Sequence, residues 1–136
     1  MHGILSWSKW EQLIEALTAD SETSWFVYYV QDNPPEEALR GSQLFAALKA
    51  IDALLRKEHR EPYLGIVYVD DLAAPNLIKI YDPNQLGASC GSSGRLIPPG
   101  WIISKWRPQP LAAHPVTPEG RRRWWQDLLL APIKQK

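Results

Sequence analysis

The residues best equipped for chemistry lie together between Asp82 and Pro99. The stretch reads Asp82-Pro83-Asn84-Gln85-Leu86-Gly87-Ala88-Ser89-Cys90-Gly91-Ser92-Ser93-Gly94-Arg95-Leu96-Ile97-Pro98-Pro99, and it holds the chain's one thiol. Irregular connections of this length inside a compact domain are uncommon and often functional. Glycines let a backbone turn its N–H groups inward as an anion-binding nest, and Arg95 supplies a cation beside them. Asp82, Asn84, Ser89, Gly91, Ser92, Ser93 and Arg95 are therefore the expected contacts for a ligand, either a small anion or a partner protein. The plain alternative is a polar surface loop.

Cys90 could also serve as a nucleophile. It would need a base, and the chain offers His59 at the end of a helix and His114 in a proline-rich strap, with loop amides to stabilise an oxyanion. His2 is terminal. Cys90 and Arg95 bracket four residues, whereas the tyrosine-phosphatase loop has five and runs into a helix. Here Pro98-Pro99 and a strand follow, so no helix N-terminus can lower the thiol pKa or hold a phosphate. The P-loop and the serine nucleophile elbow fail for the same reason. The chain has no CxxC pair, which removes an internal dithiol cycle.

Tyr68-Val69-Asp70-Asp71 matches the YxDD string of reverse transcriptases, but four residues in a chain of 136 cannot carry a polymerase. Asp70 and Asp71 read first as turn residues. Asp32, Asp70, Asp71 and Asp82 each fall at or just past a strand end. Converging ends could hold a hard divalent ion for nuclease-like chemistry. Antiparallel neighbours end on opposite sides, so not all four can meet. No metal or cofactor is expected.

These residues must be positioned by a small core. A chain of 136 residues, 45% hydrophobic and 22% charged, suits one globular domain spanning 1–136. One cysteine excludes an internal disulfide and suits a reducing compartment. The N-terminus lacks a signal-peptide pattern and no apolar run approaches a membrane span. The expectation is a cytoplasmic protein without a membrane partner. Residues 1–100 carry 8 basic and 13 acidic side chains, while residues 101–136 carry 7 and 2. The simplest reading is a basic tail folded over an acidic body. Zero overall net charge argues against a nucleic-acid partner.

Helical spacing places Trp10, Leu13, Ile14 and Leu17 on one face, after a capping box Ser8-Lys9-Trp10-Glu11. Trp25 to Val30 is aromatic and β-branched, which predicts a strand covered on both faces. A helical turn over 36–40, broken by Gly41, leads into a helix over 42–58 with Leu44, Leu48, Ile51 and Leu55 inward. Strands are predicted over 63–69, 76–81 and 101–106, the first two as an antiparallel hairpin. Residues 107–117 form the strap, and residues 132–136 a loose tail. Thr117-Pro118 opens a last helix that buries Trp124, Trp125, Leu128 and Leu129 and turns Arg121, Arg122 and Arg123 outward.

The predicted fold is α/β (α+β), in the order α-β-α-β-β-β-α. Helices pack on a mixed four-stranded sheet whose strand–helix–strand unit from Trp25 to Val69 is a right-handed parallel crossover. Most of the seven tryptophans are assigned to the core. A sheet edge or the tryptophan-rich last helix leaves room for a homodimer. The functional reading is a non-catalytic binding or accessory protein using the Gly/Ser-rich connection 82–99, with the Cys90 enzyme as its alternative.

Overall fold

The computed structural model describes residues 1–84, 98–109, 121 and 123–128. These residues form strand β1 (His2–Ile4), helix α1 (Trp7–Ala19), β2 (Phe26–Tyr29), α2 (Gly41–Glu58), β3 (Val67–Val69), β4 (Leu77–Ile80) and β5 (Trp101–Ser104). A third helical segment, α3, includes residues 121 and 123–128. The class is α+β.

Among the described residues the sheet has five strands, in the order β1-β3-β4-β5-β2, and every pairing is antiparallel. That corrects the four-stranded mixed sheet in three ways. First, β1 adds a strand at one edge, pairing Ile4 with Val67; three residues are too few to show alternation in sequence. Second, β2 and β3 are not neighbours. The β3-β4-β5 meander forms, and β2 joins the free edge of β5, with Val27 opposite Ile103. Three antiparallel steps then separate β2 from β3, so the two run in opposite directions and no parallel crossover exists. Third, the strands are shorter than their apolar runs. Gly65 takes φ +70°, a left-handed conformation open to glycine, and strand pairing starts only at Val67. The expected β3–β4 hairpin is present, with Val69 opposite Ile78.

Side chains alternate across a sheet. Val27, Tyr29, Val67, Val69, Ile78, Ile80, Trp101 and Ile103 share one face and belong to the main core. Trp10, Ile14 and Leu17 of α1, Leu44, Leu48, Ile51 and Leu55 of α2, and Trp125 of α3 pack into that same core. The helical faces read from spacing are thus the buried ones. Full burial of each such leucine or isoleucine is worth about 1.5–3 kcal/mol. Tyr28, on the other face, is also buried, beside half-buried Ile102, Lys79 and Tyr68.

Helix starts differ locally from expectation. Ser6, not Ser8, caps α1 and accepts the Lys9 amide at 3.1 Å; helical geometry already begins at Trp7. Residues 36–40 are not helical. Leu39 instead bridges Trp25 through paired backbone bonds of 2.8 and 2.7 Å. Gly41, with φ +58°, opens α2. The two helices are tied by a polar link that was not anticipated: buried Asp52 accepts from Trp10 Nε1 at 2.9 Å and Arg56 Nε at 3.0 Å.

Candidate functional site at the Asp82 end of the sheet

Antiparallel strands divide the molecule into two ends. β4 ends and β5 begins at one end, which carries both roots of the connection 82–99, the C-terminus of β2 and the C-terminus of α2. The β3–β4 turn, the start of β2 and the end of β5 share the other. The sequence-predicted aspartates split accordingly. Asp32 and Asp82 lie at the first end, Asp70 and Asp71 at the second.

Asp82 is 2% exposed. Its carboxylate accepts Arg121 Nε at 2.9 Å and Arg121 Nη2 at 3.1 Å, and Oδ1 also accepts the Asn84 amide at 2.9 Å. The same guanidinium turns its outer edge to Glu58, donating from Nη1 at 2.8 Å and from Nη2 at 2.6 Å. One arginine is thus held bidentately by two carboxylates, the geometry in which a guanidinium binds most strongly. Arg121 comes from α3, Glu58 from the last turn of α2 and Asp82 from the end of β4, so the group joins three elements.

The charges reinforce one another. Arg121's hydrogen bonds hold the Glu58 carboxyl below its ordinary range. Burial works against the Arg121 charge, but hydrogen bonds to Glu58 and the charge of Asp82 outweigh it and raise its pKa further. The expected outward placement of Arg121 is corrected: its side chain is 9% exposed. The α3 aromatics do turn inward, with Trp125 buried. The basic tail meets the acidic body at this arginine.

The opposite root is wedged. A Cβ on Gly100 would stand 3.0 Å from Asp82 Cβ and 3.1 Å from its backbone nitrogen. Gly100 N donates to Ile80 O at 2.8 Å, and its carbonyl accepts Val30 N at 2.9 Å. Behind the roots stands an aromatic wall. Trp101 lies 5.5 Å from Tyr29, 6.4 Å from Trp124 and 6.1 Å from Trp125, measured between ring centroids. Gln126 donates to Asp32 Oδ2 at 3.2 Å.

Ser89, Cys90, Gly91, Ser92, Ser93, Arg95 and His114 lie outside the described residues, as do Arg122 and Leu129. His59 ends α2, and its Nε2 lies 2.7 Å from Leu64 O, a carbonyl to which that nitrogen donates. Asp70 Oδ1 accepts the amides of Asn76 at 2.9 Å and Leu77 at 3.1 Å. The Asn76 bond leads in holding its carboxyl below the usual range. Asp71 Oδ1 accepts the Ala73 and Ala74 amides at 2.9 and 3.2 Å. Both aspartates build the hairpin turn. No cluster of three His, Cys, Asp or Glu side chains suited to a metal occurs among the described residues, and no helix among them is long and apolar enough to cross a membrane.

Sequence reasoning singled out Asp82 and missed Arg121 and Glu58 as its partners. The one signal pointing to them was the segregation of charge between the two parts of the chain. No protein-family model, curated protein or solved structure matches this chain.

Proposed function

We propose that the chain is a small non-catalytic binding or accessory protein that takes a small anion or a partner protein at the Asp82 end, through the Gly/Ser-rich connection 82–99. The observation that carries this reading is the close anchoring of the two roots. Asp82 is clamped by Arg121, and Gly100 is packed closely on Asp82, where an added methyl would stand 3.0 Å from its Cβ. A scaffold that fixes both ends of a long connection is the usual setting for a binding loop. Asp82, Glu58 and Arg121 are engaged with one another, and His59 with Leu64.

Asp82 acts here as an anchor for the loop, and Asn84, Ser89, Gly91, Ser92, Ser93 and Arg95 as the contacts. The test is titration of the full chain with inorganic phosphate and sulfate, read by melting temperature. A saturable rise that Arg95→Ala removes is the expected result. No rise with either anion, and no partner retained by the intact chain but lost on Arg95→Ala, would sink the reading. Cys90 should alkylate slowly at neutral pH, as an unactivated thiol does. Fast alkylation at neutral pH would overturn the non-catalytic assignment.

A further inference from the structure

At the opposite end of the sheet a cleft of about 230 Å³ opens between the end of α1, the β3–β4 turn and the end of β5. Its walls include Ala16, Leu17, Trp25, Ala74 and Pro75, with Asp20 and Lys105 as its two charged residues. The volume lies below the roughly 300 Å³ at which drug-sized pockets begin. It suits a ligand of only a few heavy atoms.

The two charges are opposite in sign, and neither belongs to an ion pair among the described residues. Asp20 is fixed in place: Oδ1 accepts the Glu22 amide at 3.0 Å and Oδ2 the Thr23 hydroxyl at 2.5 Å. The Thr23 bond leads in keeping its carboxyl ionised, with a smaller contribution from the Lys105 charge. Each oxygen keeps a lone pair for a further donor. Lys105 Nζ rests over the Trp25 ring, 5.3 Å from its centroid, a weak contact of the cation–π kind. Trp25 itself is 3% exposed. Its Nε1 is buried and has no hydrogen-bond partner among the described residues, a deficit that buried polar groups rarely carry.

We propose that this cleft binds a small zwitterion, an α-amino acid with a compact apolar side chain. Its ammonium meets Asp20 and its carboxylate meets Lys105. Its side chain lies on Leu17, Ala74 and Pro75. The site lies at the other end of the sheet from the connection 82–99 and is independent of that reading.

The test uses the full chain and three probes: L-valine, valinol, which lacks the carboxylate, and N-acetyl-valine, which lacks the ammonium. Binding is followed by calorimetry and by the indole N–H resonance of Trp25, assigned with Trp25→Phe. Saturable valine binding is expected, with each incomplete analogue weaker by about tenfold. Lys105→Gln should reduce valine to the level of valinol without changing valinol. Asp20→Asn should reduce valine to the level of N-acetyl-valine. Lys105 is exposed, so its variant keeps the test decisive if Asp20→Asn lowers stability. Ala74→Phe fills the cleft and should abolish binding with the melting temperature retained. The proposal is overturned if valine fails to saturate, if either analogue matches valine, or if Ala74→Phe still binds.

Discussion

The two ends of this sheet use the same residue type in opposite ways. At one end Asp82 is buried and locked to a guanidinium that a second carboxylate, Glu58, grips from its far side. At the other, Asp70 and Asp71 sit in a short turn and hold backbone amides, while Asp20 lies on an open cleft. Burial makes the difference. A carboxylate out of water must have a cation and hydrogen bonds to stay ionised, so Asp82 recruits Arg121 from 39 residues away. A solvated carboxylate has no such need and serves local geometry. One end is thereby closed by charge, and the other is shaped by turns and left accessible.

The largest break of this contrast comes from Arg121→Met. It strands Asp82 as an unpaired buried charge, which costs about 3–5 kcal/mol. Urea denaturation should show this as a lower midpoint at unchanged slope. The double variant Arg121→Met/Asp82→Leu should recover much of the loss, because replacing both partners by apolar groups can be nearly neutral. If the single variant costs under about 1 kcal/mol, the typical value of an exposed ion pair, the Asp82 end is not closed by charge and the contrast fails.

Next in size is Gly100→Ala. The added methyl meets Asp82 backbone at 3.1 Å, and overpacking of this kind costs about 1–3 kcal/mol. The same melting measurement serves, and the variant should also lose anion or partner binding at residues 82–99 beyond the stability change. A neutral effect on both would show that the roots of that connection are not held rigidly.

At the accessible end the effects are smaller and ordered. Asp70→Ala removes the acceptor for Asn76 and Leu77 amides and is expected to cost about 1 kcal/mol. Asp71→Ala should cost less, because the amides it holds belong to exposed residues that water can satisfy. Adding Mg²⁺ or Mn²⁺ should leave the melting temperature unchanged in both variants and in the parent chain. A cation-dependent rise that Asp70→Ala abolishes would convert the turn into a metal site.

These differences were unevenly legible in the sequence. Helical periodicity located the buried faces of α1 and α2, and the Asp70-Asp71 turn was readable because a hairpin is a local object. Sheet order was not, since it depends on which free edge β2 meets after α2, and no local pattern encodes that choice. β1 was missed because three residues cannot display an alternation. The Asp82–Arg121–Glu58 group was invisible residue by residue: Arg121 sits in an Arg-Arg-Arg run that reads as a solvated helix face, and only the packing of Trp125 rotates it inward. The cleft at the other end joins α1, the β3–β4 turn and Lys105, three segments with nothing in common along the chain.

The smallest effect is the most discriminating, and it lies in acid. Glu58 and Asp70 both have folded-state pKa values below their ordinary ones. Each therefore adds stability that is fully present above the unfolded-chain values, about 4.3 for Glu and 3.9 for Asp, and lost as pH falls through them towards the folded-state pKa. Between pH 5 and 8 neither contributes a slope. Below that, the two ends part. Glu58 is held first by Arg121 hydrogen bonds, with the guanidinium charge in support, whereas Asp70 is held by neutral backbone amides. At 1 M salt the screening length falls to about 3 Å, so the charge-dependent part of the Glu58 contribution shrinks and the Asp70 contribution persists. Melting curves from pH 5 to 3 at low and high salt should show Glu58→Gln flattening a salt-sensitive part of the acid loss, and Asp70→Asn a salt-insensitive part. Equal salt response in the two variants would mean that the closed end is held by hydrogen-bond geometry alone, and the division between an end closed by charge and an end shaped by turns would have to be redrawn.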